Sequence, residues 1–89
     1  MKLKENYLLR QVADTWVVLP LGQASVDFNG MLKLNETGAM LWKVLEQGGG
    51  LEAMADTLTA EYAVSREQAL ADAEEFYAAL VKAGCAEAI

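Results

Sequence analysis

Two hydrophobic periods divide the chain. Up to Leu34 the apolar positions come in short β-branched and aromatic runs punctuated by turn residues, and beyond it they recur at helical spacing. Tyr7 to Val12 reads as one strand, Asp14-Thr15 as a two-residue turn, and Trp16-Val17-Val18-Leu19 as a second strand. Pro20 ends that run because it has no N–H to give to a ladder. From Val26 to Leu34 apolar and polar positions alternate: Val26, Phe28, Leu32 and Leu34 share one face, with Asp27, Asn29, Met31 and Lys33 on the other. Asn29-Gly30 is also a two-residue hairpin signal, so the segment is either a bent or bulged third strand, which we favour, or a strand folded back on itself.

After Leu34 the pattern predicts three helices. Asn35 is a good N-cap and Glu36 places a carboxylate at the positive end of the helix dipole. Leu41, Trp42 and Leu45 continue the first helix to about Gln47, where Gly48-Gly49-Gly50 ends it. A second helix from Leu51 to about Tyr62 carries Leu51, Met54, Ala55, Leu58 and Tyr62 on one face. Ser65 with Gln68 forms a capping pattern for the third helix, which Gly84 closes after Lys82. On that helix Ala69, Leu70, Ala73, Phe76, Tyr77, Leu80 and Val81 form the core arc, and Glu67, Ala71, Glu74 and Ala78 form a stripe beside its Leu70 and Val81 edge. That stripe alternates acids with small side chains and could line a shallow groove. The order β-β-β-α-α-α fills the chain as a single domain, residues 1–89, of α+β class.

Composition narrows the chemistry. The chain has 89 residues, 54% of them hydrophobic, and at 9.7 kDa it has room for one core. Seven Lys and Arg against thirteen Asp and Glu leave a net charge of −6, the wrong sign for holding phosphate backbones. There is no histidine, which removes the commonest general base and a principal metal ligand. Cys85 is the one cysteine, so neither an intrachain disulfide nor a CxxC motif can form, and a small buried filler is its expected role. With no apolar signal segment and no run long enough to cross a bilayer, a cytoplasmic protein is expected.

No residue set forms a catalytic constellation. Glu74 and Glu75 point about 100° apart on a helix, and Asp72 with Glu75 reads as a solvated face. Gly48 to Gly50 follows a helix instead of opening one, and it lacks the lysine of a phosphate-binding loop. No catalytic residue, metal ligand or cofactor site is expected. Trp16, Trp42, Met40 and Met54 read as core, and Met31, on the polar phase of its strand, is the methionine that could face a partner.

At Leu34-Asn35-Glu36-Thr37-Gly38-Ala39-Met40-Leu41-Trp42 the chain resembles the PqqD-like family. The likeness extends through Tyr7-Leu8-Leu9-Arg10, Val17-Val18-Leu19-Pro20, Phe28-Asn29-Gly30-Met31, Glu61-Tyr62 and Phe76 to Leu80 with Gly84, and so covers nearly all of Tyr7 to Gly84. The resemblance implies a winged helix-turn-helix-like fold, a three-stranded antiparallel sheet followed by three helices. It also implies a peptide-recognition module without catalytic activity, serving ribosomally synthesised and post-translationally modified peptides. Such a module binds the leader of a precursor peptide and presents it to a modifying enzyme, often a radical S-adenosylmethionine protein. The leader adds a strand to the edge of strand three beside helix three. On this sequence that implies an edge at Phe28, Asn29, Met31, Leu32, Lys33 and Leu34, and a helix wall at Glu67, Leu70, Ala71, Glu74 and Ala78. The backbone of an open edge holds a peptide whatever its sequence, and side-chain pockets select among peptides. Members serving pyrroloquinoline quinone synthesis tend to carry Pro-Glu after strand two, whereas Pro20 is followed here by Leu21 and Gly22, which leaves the pathway open.

Two other readings share this topology. A DNA-binding winged helix needs cations on its recognition helix, yet Ser65 to Gly84 holds Arg66 and Lys82 against Glu67, Asp72, Glu74 and Glu75. A dimerising scaffold without peptide affinity would use the same open strand edge for self-pairing. A monomer or weak dimer, with neither nucleic acid nor membrane as partner, is the expectation.

Overall fold

The computed structural model describes residues 1–22 and 32–88. Strands β1 (Tyr7–Val12), β2 (Thr15–Pro20) and β3 (Leu32–Leu34) precede helices α1 (Glu36–Glu46), α2 (Leu51–Glu61) and α3 (Arg66–Ala83). The strands form one antiparallel sheet in the order β1-β2-β3, so the α+β architecture is the expected one. Of the anticipated third strand only Leu32, Lys33 and Leu34 are described. Val26, Asp27, Phe28, Asn29 and Met31, and with them the choice between bulge and hairpin at Asn29-Gly30, lie outside the described residues.

The first hairpin turns one residue earlier than its sequence suggests. Val12 pairs with Thr15, so the turn residues are Ala13 and Asp14, not Asp14 and Thr15. Ala13 takes φ 56°, a left-handed conformation that alanine does not advertise. Packing dictates this register: it opposes Leu9 to Val18, which is fully buried, and a one-residue slip would turn Val17 toward the helices instead.

The helices form a layer on the inner face of the sheet. Leu41, Trp42 and Leu45 of α1, Met54, Ala55 and Leu58 of α2, and Ala69, Ala73, Tyr77 and Leu80 of α3 meet Val18 and Cys85 in one core. Leu9, Leu32 and Leu34 pack against its sheet side. Each helix start is set by local chemistry. Asn35 Oδ1 accepts the Gly38 N–H at 2.7 Å, and Ser65 Oγ accepts that of Gln68 at 3.1 Å. At the end of α3, Gly84 with φ 90° lets its own N–H reach Val81 O and the Cys85 N–H reach Leu80 O, each at 3.0 Å.

Three expected core residues sit elsewhere, one of them Met40, which is half-buried on α1 and is not among the core side chains. Tyr62 matches the helical spacing of α2, but its backbone is already extended (φ −130°, ψ 152°) and it is 41% exposed. Its hydroxyl instead hydrogen-bonds Thr37 Oγ1 at 2.8 Å. Trp16 is half-buried, with the Lys43 ammonium 4.5 Å from the centre of its ring.

The chain ends are tied to α3. The buried Tyr77 hydroxyl accepts the Lys2 N–H at 2.8 Å and lies within donating reach of the carbonyls of Lys2 and Glu87. Leu3 bridges Ala86, and the Lys4 N–H reaches Cys85 O at 3.0 Å. Among the described residues no helix is long and apolar enough to cross a membrane.

Candidate functional site

β3 is an edge strand. Trp16, Val17 and Val18 of β2 pair with Leu34, Lys33 and Leu32 on one side, and no described strand pairs with the other. Strand alternation sends Leu32 and Leu34 inward to the core and Lys33 outward to solvent, as the sequence period requires. Along the inner side of β3 runs a groove of about 400 Å³, shared by Lys33 and Leu34, Gly38 and Leu41 of α1, Leu58 of α2, and Asp72 and Phe76 of α3.

Local structure explains why this groove exists. Gly38 stands in the first turn of α1, and a Cβ there would meet Phe76 Cε1 at 3.3 Å and Leu34 Cβ at 3.4 Å. The missing side chain lets the Phe76 ring and Leu34 close on α1. Asp72 lies one turn before Phe76 on the same flank of α3 and is held by the Gln68 amide at 2.7 Å. The groove therefore has an apolar floor bordered by Lys33 of β3 on one element and the Asp72 carboxylate of α3 on the other.

The helix wall that the structure brings to β3 is not the expected one. At about 100° per residue, Glu67, Ala71, Glu74 and Ala78 lie about 140–180° around α3 from Phe76, and Leu70 about 120°. All four of that stripe are exposed and Leu70 is half-buried, and none of the five lines the groove with β3. The core arc itself is as read, with Ala69, Ala73, Tyr77 and Leu80 buried. Phe76 forms one edge of that arc, with Leu70 and Val81 at the other, and β3 with the start of α1 adjoins the Phe76 edge. Asp72 and Phe76, four residues apart, were the available signal: a carboxylate and an aromatic flanking the core arc. Of the expected strand residues, Lys33 and Leu34 line the groove and Leu32 packs into the core beside it. Phe28, Asn29 and Met31 lie outside the described residues.

Perturbed ionisations lie away from the groove. Arg66 sits between Asp56 and Glu52, and those contacts, Asp56 first, push its pKa further up. The one cation at the start of α3 is thus already engaged by two carboxylates. Burial pushes the Cys85 thiol up, in keeping with an inert filler. Among the described residues no three His, Cys, Asp or Glu side chains are grouped so as to hold a metal ion.

Comparison with known proteins agrees with this fold. The structure is similar to that of TbiB1 in complex with the TbiA(beta) leader peptide, with a TM-score of 0.81 and 27% identity, covering 100% of this chain and 98% of that one. It is similar also to lasso peptide synthetase B1 complexed with the leader peptide, with a TM-score of 0.80 and 25% identity, covering 98% of this chain and 96% of that one. No curated protein matches significantly. The profile of the family described as coenzyme PQQ synthesis protein D (PqqD) matches residues 15–86, from the start of β2 to the bridge residue beyond α3, and the chain belongs to that family.

Proposed function

We propose that this chain is a non-catalytic recognition protein that binds the leader segment of a precursor peptide, as an added strand on β3, and presents it to a modifying enzyme. The observation that carries the reading is the edge of β3 that no described strand pairs, beside the groove closed by Leu34, Gly38 and Phe76. An unpaired edge supplies backbone donors and acceptors to any extended peptide. The groove supplies selection: a leader side chain on the inward phase meets Leu34, Leu41 and Phe76, and charged neighbours meet Lys33 or Asp72. Phe28, Asn29, Met31 and Leu32 extend the edge in this reading, with residues 1–89 acting as one unit. Glu67, Leu70, Ala71, Glu74 and Ala78 lie on the far flank of α3 and take no part in the groove.

Two relatives of the same fold, TbiB1 and lasso peptide synthetase B1, are complexed with leader peptides, which supports the reading. A chain without histidine suits a module that holds a substrate for another enzyme's chemistry, and a radical S-adenosylmethionine protein is one class that enzyme could belong to. The DNA-binding alternative loses further ground here because Arg66 is occupied by Asp56 and Glu52. Calorimetric titration with synthetic leader peptides, that of TbiA(beta) among them, tests the proposal. Binding by wild type that Phe76→Ala weakens at least tenfold is expected, and equal affinity of the two proteins would overturn the placement of the groove.

A further inference from the structure

The side of the sheet turned away from the helices carries a second surface. The register places Leu8, Arg10 and Val12 of β1, Thr15, Val17 and Leu19 of β2, and Lys33 of β3 on that outer face. Outer faces of such sheets are expected to be polar, because one side packs on the core and the other meets water. Here Leu8 is 40% and Val12 55% exposed, two of the most exposed large apolar residues of the described chain. Val12, Thr15, Val17, Leu19 and Lys33 line a depression of about 270 Å³. Val17 forms its floor at 4% exposure, flanked in register by Arg10 and Lys33.

The charges on this face are one-sided. Among the described residues, Arg10 and Lys33 are its only charged strand residues, and neither has an ion-pair partner there. A chain of net charge −6 thus sets two unpaired cations around an apolar floor. We infer that the outer face of the sheet docks a partner protein whose contacting surface is apolar with a carboxylate rim. The modifying enzyme of the proposed function is the partner it fits, and to that extent the inference rests on that reading. Lys33 borders both this face and the leader groove, so an enzyme seated here would lie next to a peptide held on β3.

Charge argues against other occupants. Two copies joined face to face would gather two Arg10 and two Lys33 side chains about one patch, where like charges oppose association. An anionic membrane would meet two cations on a protein of strongly negative net charge.

The test uses the full chain, a modifying enzyme that acts on leader-bearing precursor peptides and the leader of its substrate, with Arg10→Glu and Val12→Glu compared with wild type. Both positions are exposed, and a melting curve for each variant verifies folding. The two substitutions are independent, so either suffices if the other unfolds. Each should lower enzyme affinity at least tenfold, weaken its dependence on salt, and leave leader affinity within twofold of wild type. Phe76→Ala should do the reverse. Enzyme affinity unchanged within twofold in both outer-face variants would overturn the inference. So would a wild-type dimer in sedimentation that Val12→Glu dissolves, which would make the occupant a second copy, or binding to phosphatidylglycerol vesicles that Val12→Glu abolishes. Failure of wild type to bind the leader, with enzyme binding still lost in the outer-face variants, would overturn the proposed function and leave this inference standing.

Discussion

Replacing Asn35 by alanine removes the side chain that joins β3 to α1 at the mouth of the groove. In the native protein Asn35 Oδ1 accepts the Gly38 N–H at 2.7 Å, while its own carbonyl accepts the Ala39 N–H. Alanine leaves the Gly38 N–H without its acceptor in a residue that is itself buried. N-cap losses of this kind cost about 1 kcal/mol, rising toward about 2 kcal/mol where the orphaned donor is kept from water. An unfolding entropy of about 2.1 cal/mol/K per residue, over 89 residues, makes each kcal/mol worth about 5 °C. Asn35→Ala should therefore lower the melting temperature by about 5–10 °C, and Asn35→Asp, which can cap equally well, should recover most of it. Circular dichroism melts of the three proteins at pH 7 provide the comparison, with urea titrations confirming an unchanged m-value. An alanine variant that melts within 1 °C of wild type, or an aspartate variant no better than alanine, would refute the capping argument.

Further expectations concern the hairpin, the terminal clamp and the thiol. Ala13→Gly relieves a left-handed alanine and should raise the melting temperature by a few degrees, worth about 0.5–1 kcal/mol; a lower value would show that the turn has another geometry. Tyr77→Phe strips the hydroxyl that ties Lys2 and Glu87 to α3 and should cost about 1–3 kcal/mol, with faster exchange of the Lys2 amide proton. Cys85 is fully buried with its folded-state pKa raised, so its contribution is complete below the unfolded thiol value of about 8.5 and is lost as pH rises through the folded value. Stability measured by urea between pH 7 and 10 should fall less steeply in Cys85→Ala than in wild type. Native protein should react with Ellman's reagent only as fast as it opens.

The fold was legible where a local rule has one solution. Asn35, Ser65 and Gly84 mark helix ends through short-range hydrogen bonds that need no tertiary partner, and each acts where its sequence position says. Legibility failed where the long-range packing decides. Ala13 carries no signal of a positive φ, and the hairpin register follows instead from the burial of Val18. The spacing that puts Tyr62 on the α2 face says nothing of where the backbone leaves the helix, one residue earlier. On α3 the 3.6-residue period identifies the buried arc but not which neighbour adjoins each of its edges. The period alone points to a groove wall beside Leu70 and Val81, whereas α1, brought close through the absent side chain of Gly38, puts β3 against Phe76 and Asp72.

The central claim is that a leader peptide pairs with the free edge of β3. The most direct measurement is amide hydrogen exchange of Leu32, Lys33 and Leu34 in isotope-labelled protein, with and without a saturating leader peptide. Strand addition predicts that those β3 amides not already bonded to β2 become protected, and that in Phe76→Ala at the same peptide concentration the protection falls in proportion to the lost affinity. Saturable leader binding that leaves exchange along β3 unchanged while protecting another surface would contradict it.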